Sequence, residues 1–177
     1  MHHCTLNENY NAVMLALRYV YVLALVVWLG GMLMLGALVA PTTFHVLQAA
    51  EPVTGRALAG ELFGVTLARF HYVAYGAGVL LLFSFAAMAV LGPRPPAFAA
   101  RSALIVLMLG VAAYSGVIVL RNIDAIQREV GGLPSRLPAT DARRVRFDEL
   151  HQLSTRLMFL NMAGAFVLLY WEARERA

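Results

Sequence analysis

Three histidines, His45, His71 and His151, are the residues best suited by type to carry chemistry. A neutral imidazole binds haem iron or a transition-metal ion through one ring nitrogen. His71 heads the apolar run "HYVAYGAGVLLLFSFAAMAVL", and His151 lies in "RFDELHQLSTRLMFLN" just ahead of another such run. If both runs are helices of the same direction, the two rings sit at similar depth. His45 follows an earlier apolar run and returns to the same side. His71 and His151 are therefore the candidate ligands of a haem, and His45, His71 and His151 those of a metal ion. Glu61, Asp148, Arg121, Asn122 and Asp124 belong to the same face. The competing reading makes all of them interfacial side chains reaching for headgroups and pairing with one another. Neither a HExxH nor a CxxC spacing occurs, and no nucleophile, base and orienting acid stand in any recognisable order. No catalytic residue is assigned.

The elements that must position these residues are long and apolar. The chain has 177 residues, of which 60% are hydrophobic and 14% charged. An average soluble domain carries about 25% charged residues. A water-soluble fold of this size has too much surface to hide the difference, so the surplus must face lipid. Four runs are long enough to span a bilayer, at approximately 15–40, 71–91, 102–120 and 153–171. The uncharged part of the first, Tyr19 to Ala40, extends about 33 Å as a helix, enough to cross the hydrocarbon core. The N-terminal stretch "MHHCTLNENY" ahead of the first run carries no positive charge, and the run is longer than a signal-peptide core, so it reads as a retained span ending at Pro41. The expected architecture is all-α: an integral membrane four-helix bundle forming a single domain over residues 1–177.

The connections differ in kind. "GPRPPAFAAR" is short and proline-rich. The first connection is about thirty residues long, and from Gly55 it shows helical spacing, either as an interfacial helix or as a water-exposed start to the second span. The third should leave the membrane as a helix, break at Gly131-Gly132 and Pro134, and restart after Thr140-Asp141, whose side chains offer N-cap oxygens.

All fourteen basic residues are arginines, which points to a GC-rich bacterial genome and hence a bacterial inner membrane. They are scattered at segment ends and form no block, which argues for topology signals over nucleic-acid binding. Eight of them lie in the two long connections, and four (Arg94, Arg101, Arg174 and Arg176) lie on the other side. The positive-inside rule then places the long connections in the cytoplasm. One cysteine, Cys4, excludes an internal disulfide framework.

Polar residues within the spans need partners. On a helix, Asp148, His151, Thr155, Met158 and Met162 form one stripe, with Phe147, Ser154 and Asn161 at its edge. This stripe is expected to face the bundle interior, with Asn161 making an interhelical hydrogen bond. Trp28, inside the first span, requires an N–H partner. Trp28, Asp148, Ser154 and Asn161 are thus expected structural polar positions. Gly30, Gly31, Gly36, Gly76 and Gly78 read as close-packing glycines.

Three stretches together resemble the transmembrane protein 205-like family: "WLGGMLMLGALVAPTTFHVL", "ELFGVTLARFHYV" and "RFDELHQLSTRLMFLNMAG". The last carries the Phe–x–x–x–His–x–x–Ser element and following Asn of that family at Phe147, His151, Ser154 and Asn161. "LARFHY" departs from the paired aromatics expected before the second span. The resemblance implies a four-span membrane protein of undefined biochemical activity. Three function classes follow: a small membrane protein of transport or of metal or drug tolerance; a haem- or metal-binding membrane protein using His71 and His151; and a non-catalytic accessory subunit of a larger membrane complex. The expected partners are the bilayer and other membrane subunits or a second copy, with no nucleic acid.

Overall fold

Pro41 does not end the first helix. The computed structural model describes residues 2–175. Its chain is helical over His2–Met34 (α1), passes through a π-helical turn at Leu35–Val39, and continues as Ala40–Ala50 (α2). A proline inside an α-helix loses one backbone hydrogen bond and presses its ring against the carbonyl four residues back, here that of Ala37. The wider π turn surrounds that carbonyl and accommodates the misfit. The expected stop at Pro41 is thereby corrected to a helix that runs on past the proline.

Gly55–Leu91 (α3) is one unbroken helix. The amphipathic stretch from Gly55 is therefore the start of the second span and not a separate interfacial helix. The third long helix repeats the build of the first: Phe98–Ala113 (α4), a π turn at Tyr114–Val119, then Leu120–Val130 (α5). The fourth is Ala142–Arg174 (α6). No strand occurs among the described residues. Four helical stretches, Glu8–Ala50, Gly55–Leu91, Phe98–Val130 and Ala142–Arg174, are long and apolar enough to cross a membrane. Their outward faces agree with that: Val90 is 83% exposed, Phe83 67% and Tyr170 63%.

The breaks fall where local chemistry puts them. α5 ends at Gly131, whose φ of 65° is left-handed and suits a residue without Cβ. Pro134–Arg136 forms a single 3-10 turn. α6 starts at the Asp141 N-cap, whose Oδ1 accepts the Arg143 backbone N–H at 2.9 Å. The Arg143 guanidinium and that backbone N–H hold the Asp141 carboxyl down at about 2.

The first helix packs on the second, the second on the third, the third on the fourth, and the fourth back on the first. Short antiparallel connections favour this up-and-down ring. It sets the second and fourth helices, which share a direction, across the diagonal. The core between them holds Tyr21, Leu25, Trp28, Leu81, Phe85, Ile105, Met108 and Leu168. Trp28 is 1% exposed and lies over Gly78, where an added Cβ would come within 2.8 Å of its ring. Gly31 likewise makes room for Phe70, whereas Gly30 and Gly76 face open space.

α3 has 37 residues. Such a helix is about 55 Å long, against a hydrocarbon core of about 30 Å. The apolar runs finish close to the proline-rich connection, so the surplus length projects on the side of the two long connections.

Candidate functional site

The most distinctive polar feature lies at the other end of the bundle from the histidines. Arg101 stands in the first turn of α4 and is 1% exposed. It falls in the inward phase of its helix, followed by the buried Ile105, Met108 and Ala112. Its Nη2 donates to Glu172 Oε2 at 3.2 Å and to the Tyr21 hydroxyl at 3.2 Å, and its Nη1 pairs with Glu175. Glu172, 5% exposed, follows Ala165 and Leu168 on the inward seam of α6. It also accepts from Arg18 Nε at 2.6 Å, and Arg18 Nη2 lies 3.7 Å from Glu175. Two guanidinium groups and two carboxylates thus join α1, α4 and α6, and their formal charges cancel.

Aromatic rings wall the site. The Arg101 guanidinium carbon lies 4.7 Å from the Phe85 ring centroid and 5.4 Å from that of Tyr21, both within cation–π range. Phe98 stacks on Phe85 at 5.2 Å. Helix dipoles explain the pairing. Arg101 sits at the positive N-terminal end of α4, and Glu172 and Glu175 sit at the negative C-terminal end of α6. Each charge is unfavourable on its own helix and favourable on its neighbour's. The fit is incomplete: Arg101 Nε and Arg18 Nη2 are buried without a hydrogen-bond acceptor among the described residues. The arrangement can do two things chemically. It clamps three helices, and it keeps charged groups at the edge of the apolar zone without exposing them to lipid.

The sequence-predicted residues are placed otherwise. His71 is half-buried on α3, and its Nδ1 is 2.8 Å from the Leu67 carbonyl. In that contact Nδ1 carries a proton and donates it to the carbonyl. The ring lies over the second π turn, where a Cβ on Gly116 would come within 2.5 Å of His71 Cδ2 and collide with the Tyr75 hydroxyl. Tyr75 donates to the Ala112 carbonyl at 3.4 Å. His151 is exposed on α6, with its ring stacked on Phe147 at 6.2 Å. His45 is exposed on α2, as is Glu61 on α3. α3 and α6 lie across the diagonal, so His71 and His151 stand on helices that are not neighbours in the ring. Among the described residues no group of three His, Cys, Asp or Glu side chains is placed to hold a metal ion.

The polar stripe of α6 is corrected. His151, Thr155 and Asp148 are exposed, and Asp148 Oδ2 is 3.9 Å from Arg144 Nε on the same helix. Thr155 donates its hydroxyl back to the His151 carbonyl at 3.0 Å. Of the expected stripe, Met158 and Met162 do pack beside the core, and the inward seam continues through its edge positions Ser154, half-buried, and Asn161, buried. The Asn161 side chain makes no hydrogen bond among the described residues, contrary to the expected interhelical bond.

A family model described as Domain of unknown function (DUF4149) matches residues 23–131. The chain belongs to that family. No curated protein and no solved structure matches it. The matched region of this DUF4149 protein runs from the first span through the third long helix and includes Arg101, both π turns and His71. It stops before α6, so the two glutamates of the ion network and the "RFDELHQLSTRLMFLN" element lie outside it.

Sequence reasoning took Arg101 for a topology signal and gave Glu172 no role. A usable signal was present. Both charges continue the apolar phase of their helices, at i, i+4, i+7 before the buried Ile105 and Met108 and after Ala165 and Leu168.

Proposed function

We propose that this DUF4149 protein is a non-catalytic accessory subunit of a membrane complex, a four-span scaffold that acts by helix association in the bilayer. The observation that supports this best is the charge-balanced network of Arg18, Arg101, Glu172 and Glu175. The strongest interior charges engage one another and clamp one end of the bundle. They do not line a route between the helices. The resemblance to the transmembrane protein 205-like family at Phe147, His151, Ser154 and Asn161 fits the same reading. The arginine distribution supports an orientation with the long connections in the cytoplasm, and the arginine-only basic composition supports a bacterial inner membrane. Reporter fusions after Pro95 and Ser135 test the orientation.

The role itself is tested by extraction in mild detergent after cross-linking in native membranes. The expected result is recovery in a larger, stoichiometric assembly. Recovery of the bare chain, together with solute flux in proteoliposomes that Arg101→Met abolishes, would replace the accessory reading with a transport one.

A further inference from the structure

We infer that the end of the molecule carrying the two long connections is a latched arm: α3 rocks against the rest of the bundle, taking α2 with it, and Arg136 holds the arm shut. Such a device is independent of the accessory role. The ion network ties α1, α4 and α6 to one another. α3 gives that network no charge, only the ring of Phe85. Its one hydrogen bond to another helix among the described residues runs from Tyr75 to the Ala112 carbonyl, and at 3.4 Å it is long. α3 is therefore the long helix held almost wholly by apolar packing. Both π turns begin about 20–25 Å along the helices from the network. Beyond them α2 packs on α3 and α5 on α6, and the two pairs barely touch. At the root, where they do meet, each π turn offers a glycine. Gly36 faces the Met158 methyl of α6, and Gly116 faces the His71 ring and the Tyr75 hydroxyl of α3. A glycine has no side chain to interlock, so each contact is a bearing surface. The first π turn is also the joint between α1 and α2, because helices bend where the regular hydrogen-bond ladder is interrupted. α2 can thus follow α3 while α1 stays tied to the network.

The opposite arm is fixed. α6 carries Glu172 and Glu175, and the strap between α5 and α6 is pinned to its own side. Pro134 in that strap is fully buried, and Arg144 Nη1 donates to the Leu137 carbonyl at 2.6 Å. From the same strap Arg136 Nη2 donates to the carbonyl of Val53, in the turn between α2 and α3. Among the described residues this is the one hydrogen bond between the two arms beyond the π turns. It is exposed, so water competes for both partners and its net worth is small. With His71 as pivot, the start of α3 is a lever of about 24 Å, and about 10° of rocking moves its tip by about 4 Å.

The test uses the full chain with Cys4→Ser in lipid nanodiscs, spin-labelled at two introduced cysteines. Ala50→Cys with Ala142→Cys reports across the arms, both sites being exposed. Two distances about 4 Å apart are expected. Arg136→Ala should raise the longer relative to the shorter by about fivefold, the effect of one exposed hydrogen bond. Val53→Ala should change nothing, because the acceptor is a backbone carbonyl. Ala16→Cys with Ala99→Cys, exposed sites on α1 and α4 beside the network, should keep one distance in every variant. A single distance between the Ala50 and Ala142 labels that Arg136→Ala leaves in place overturns the latched arm. An equal change between the Ala16 and Ala99 labels also overturns it, since the whole bundle would then be loosening. A Val53→Ala effect as large as that of Arg136→Ala overturns the latch as well.

Discussion

Replacing Arg101 with methionine removes the guanidinium and keeps most of the side-chain volume. The carboxylate of Glu172, 5% exposed, then loses its acceptor bond from Arg101 at 3.2 Å, and Glu175 and the Tyr21 hydroxyl each lose a partner. Breaking a buried ion pair from one side costs about 3–5 kcal/mol, since the remaining charge stays desolvated. Arg18 still reaches Glu172 at 2.6 Å, which puts the expected loss at the lower end, about 3 kcal/mol. Loss of the cation from between the Phe85 and Tyr21 rings adds about 0.5–1 kcal/mol. The matching Glu172→Met change should cost a similar amount. The double variant is the decisive one. With both charges gone, neither is left uncompensated, so the loss should fall short of the sum of the single losses by about 1–3 kcal/mol. Reversible unfolding in mixed micelles, followed by the fluorescence of Trp28 and Trp171, measures all three. A loss below about 1 kcal/mol for Arg101→Met, or strict additivity in the double variant, would refute the view that this network clamps the bundle.

Gly116→Ala places a methyl group within 2.5 Å of His71 Cδ2 and against Tyr75, so it should destabilise by about 1–3 kcal/mol, and pairing it with Tyr75→Phe should restore part of the loss. The Asp141 carboxylate, held down at about 2 by Arg143, stabilises the start of α6 above the ordinary carboxylate range of about 4. That contribution should disappear as pH falls through about 2, and Asp141→Ala should abolish it at every pH, both seen as faster amide exchange in the first turn of α6. His151→Ala should leave stability within about 0.5 kcal/mol, as for other exposed positions. A visible haem band or a bound metal ion lost in that variant would instead revive the paired-histidine reading.

The parts of this fold set by local chemistry were legible in the sequence. Four apolar runs announced four spanning helices. Gly131-Gly132, Pro134 and Asp141 marked the break and restart before α6, because left-handed backbone, a missing N–H and a capping carboxylate act within a few residues. The ion network was not legible in the same way. Arg101 and Glu172 are 71 residues apart, and which charges meet depends on the order of helices around the ring, which no local pattern fixes. The phase of α6 was misjudged for a related reason. Its run from Leu157 to Trp171 is apolar nearly all round, so periodicity gives no inward direction there, and the polar residues that suggested one, Asp148, His151 and Thr155, are exposed. Pro41 misled because the π turn that tolerates it leaves no mark in composition.

The two π turns have a further meaning. One interrupts the first long helix and the other the third, each before a helical continuation, a break and a long return helix. The chain is therefore two consecutive hairpins of the same build inserted in the same sense. That is the layout expected when a hairpin gene is duplicated and fused, with a pseudo-two-fold axis along the membrane normal setting first helix opposite third and second opposite fourth. Arg18 and Arg101 each stand on the first helix of a half ahead of its π turn, Arg18 mid-way along α1 and Arg101 in the first turn of α4. Their acids are not matched in this way: the second hairpin ends in Glu172 and Glu175, whereas the first ends in "AAMAVL". The network is thus where the two hairpins differ, and a single pair of glutamates serves the arginines of both.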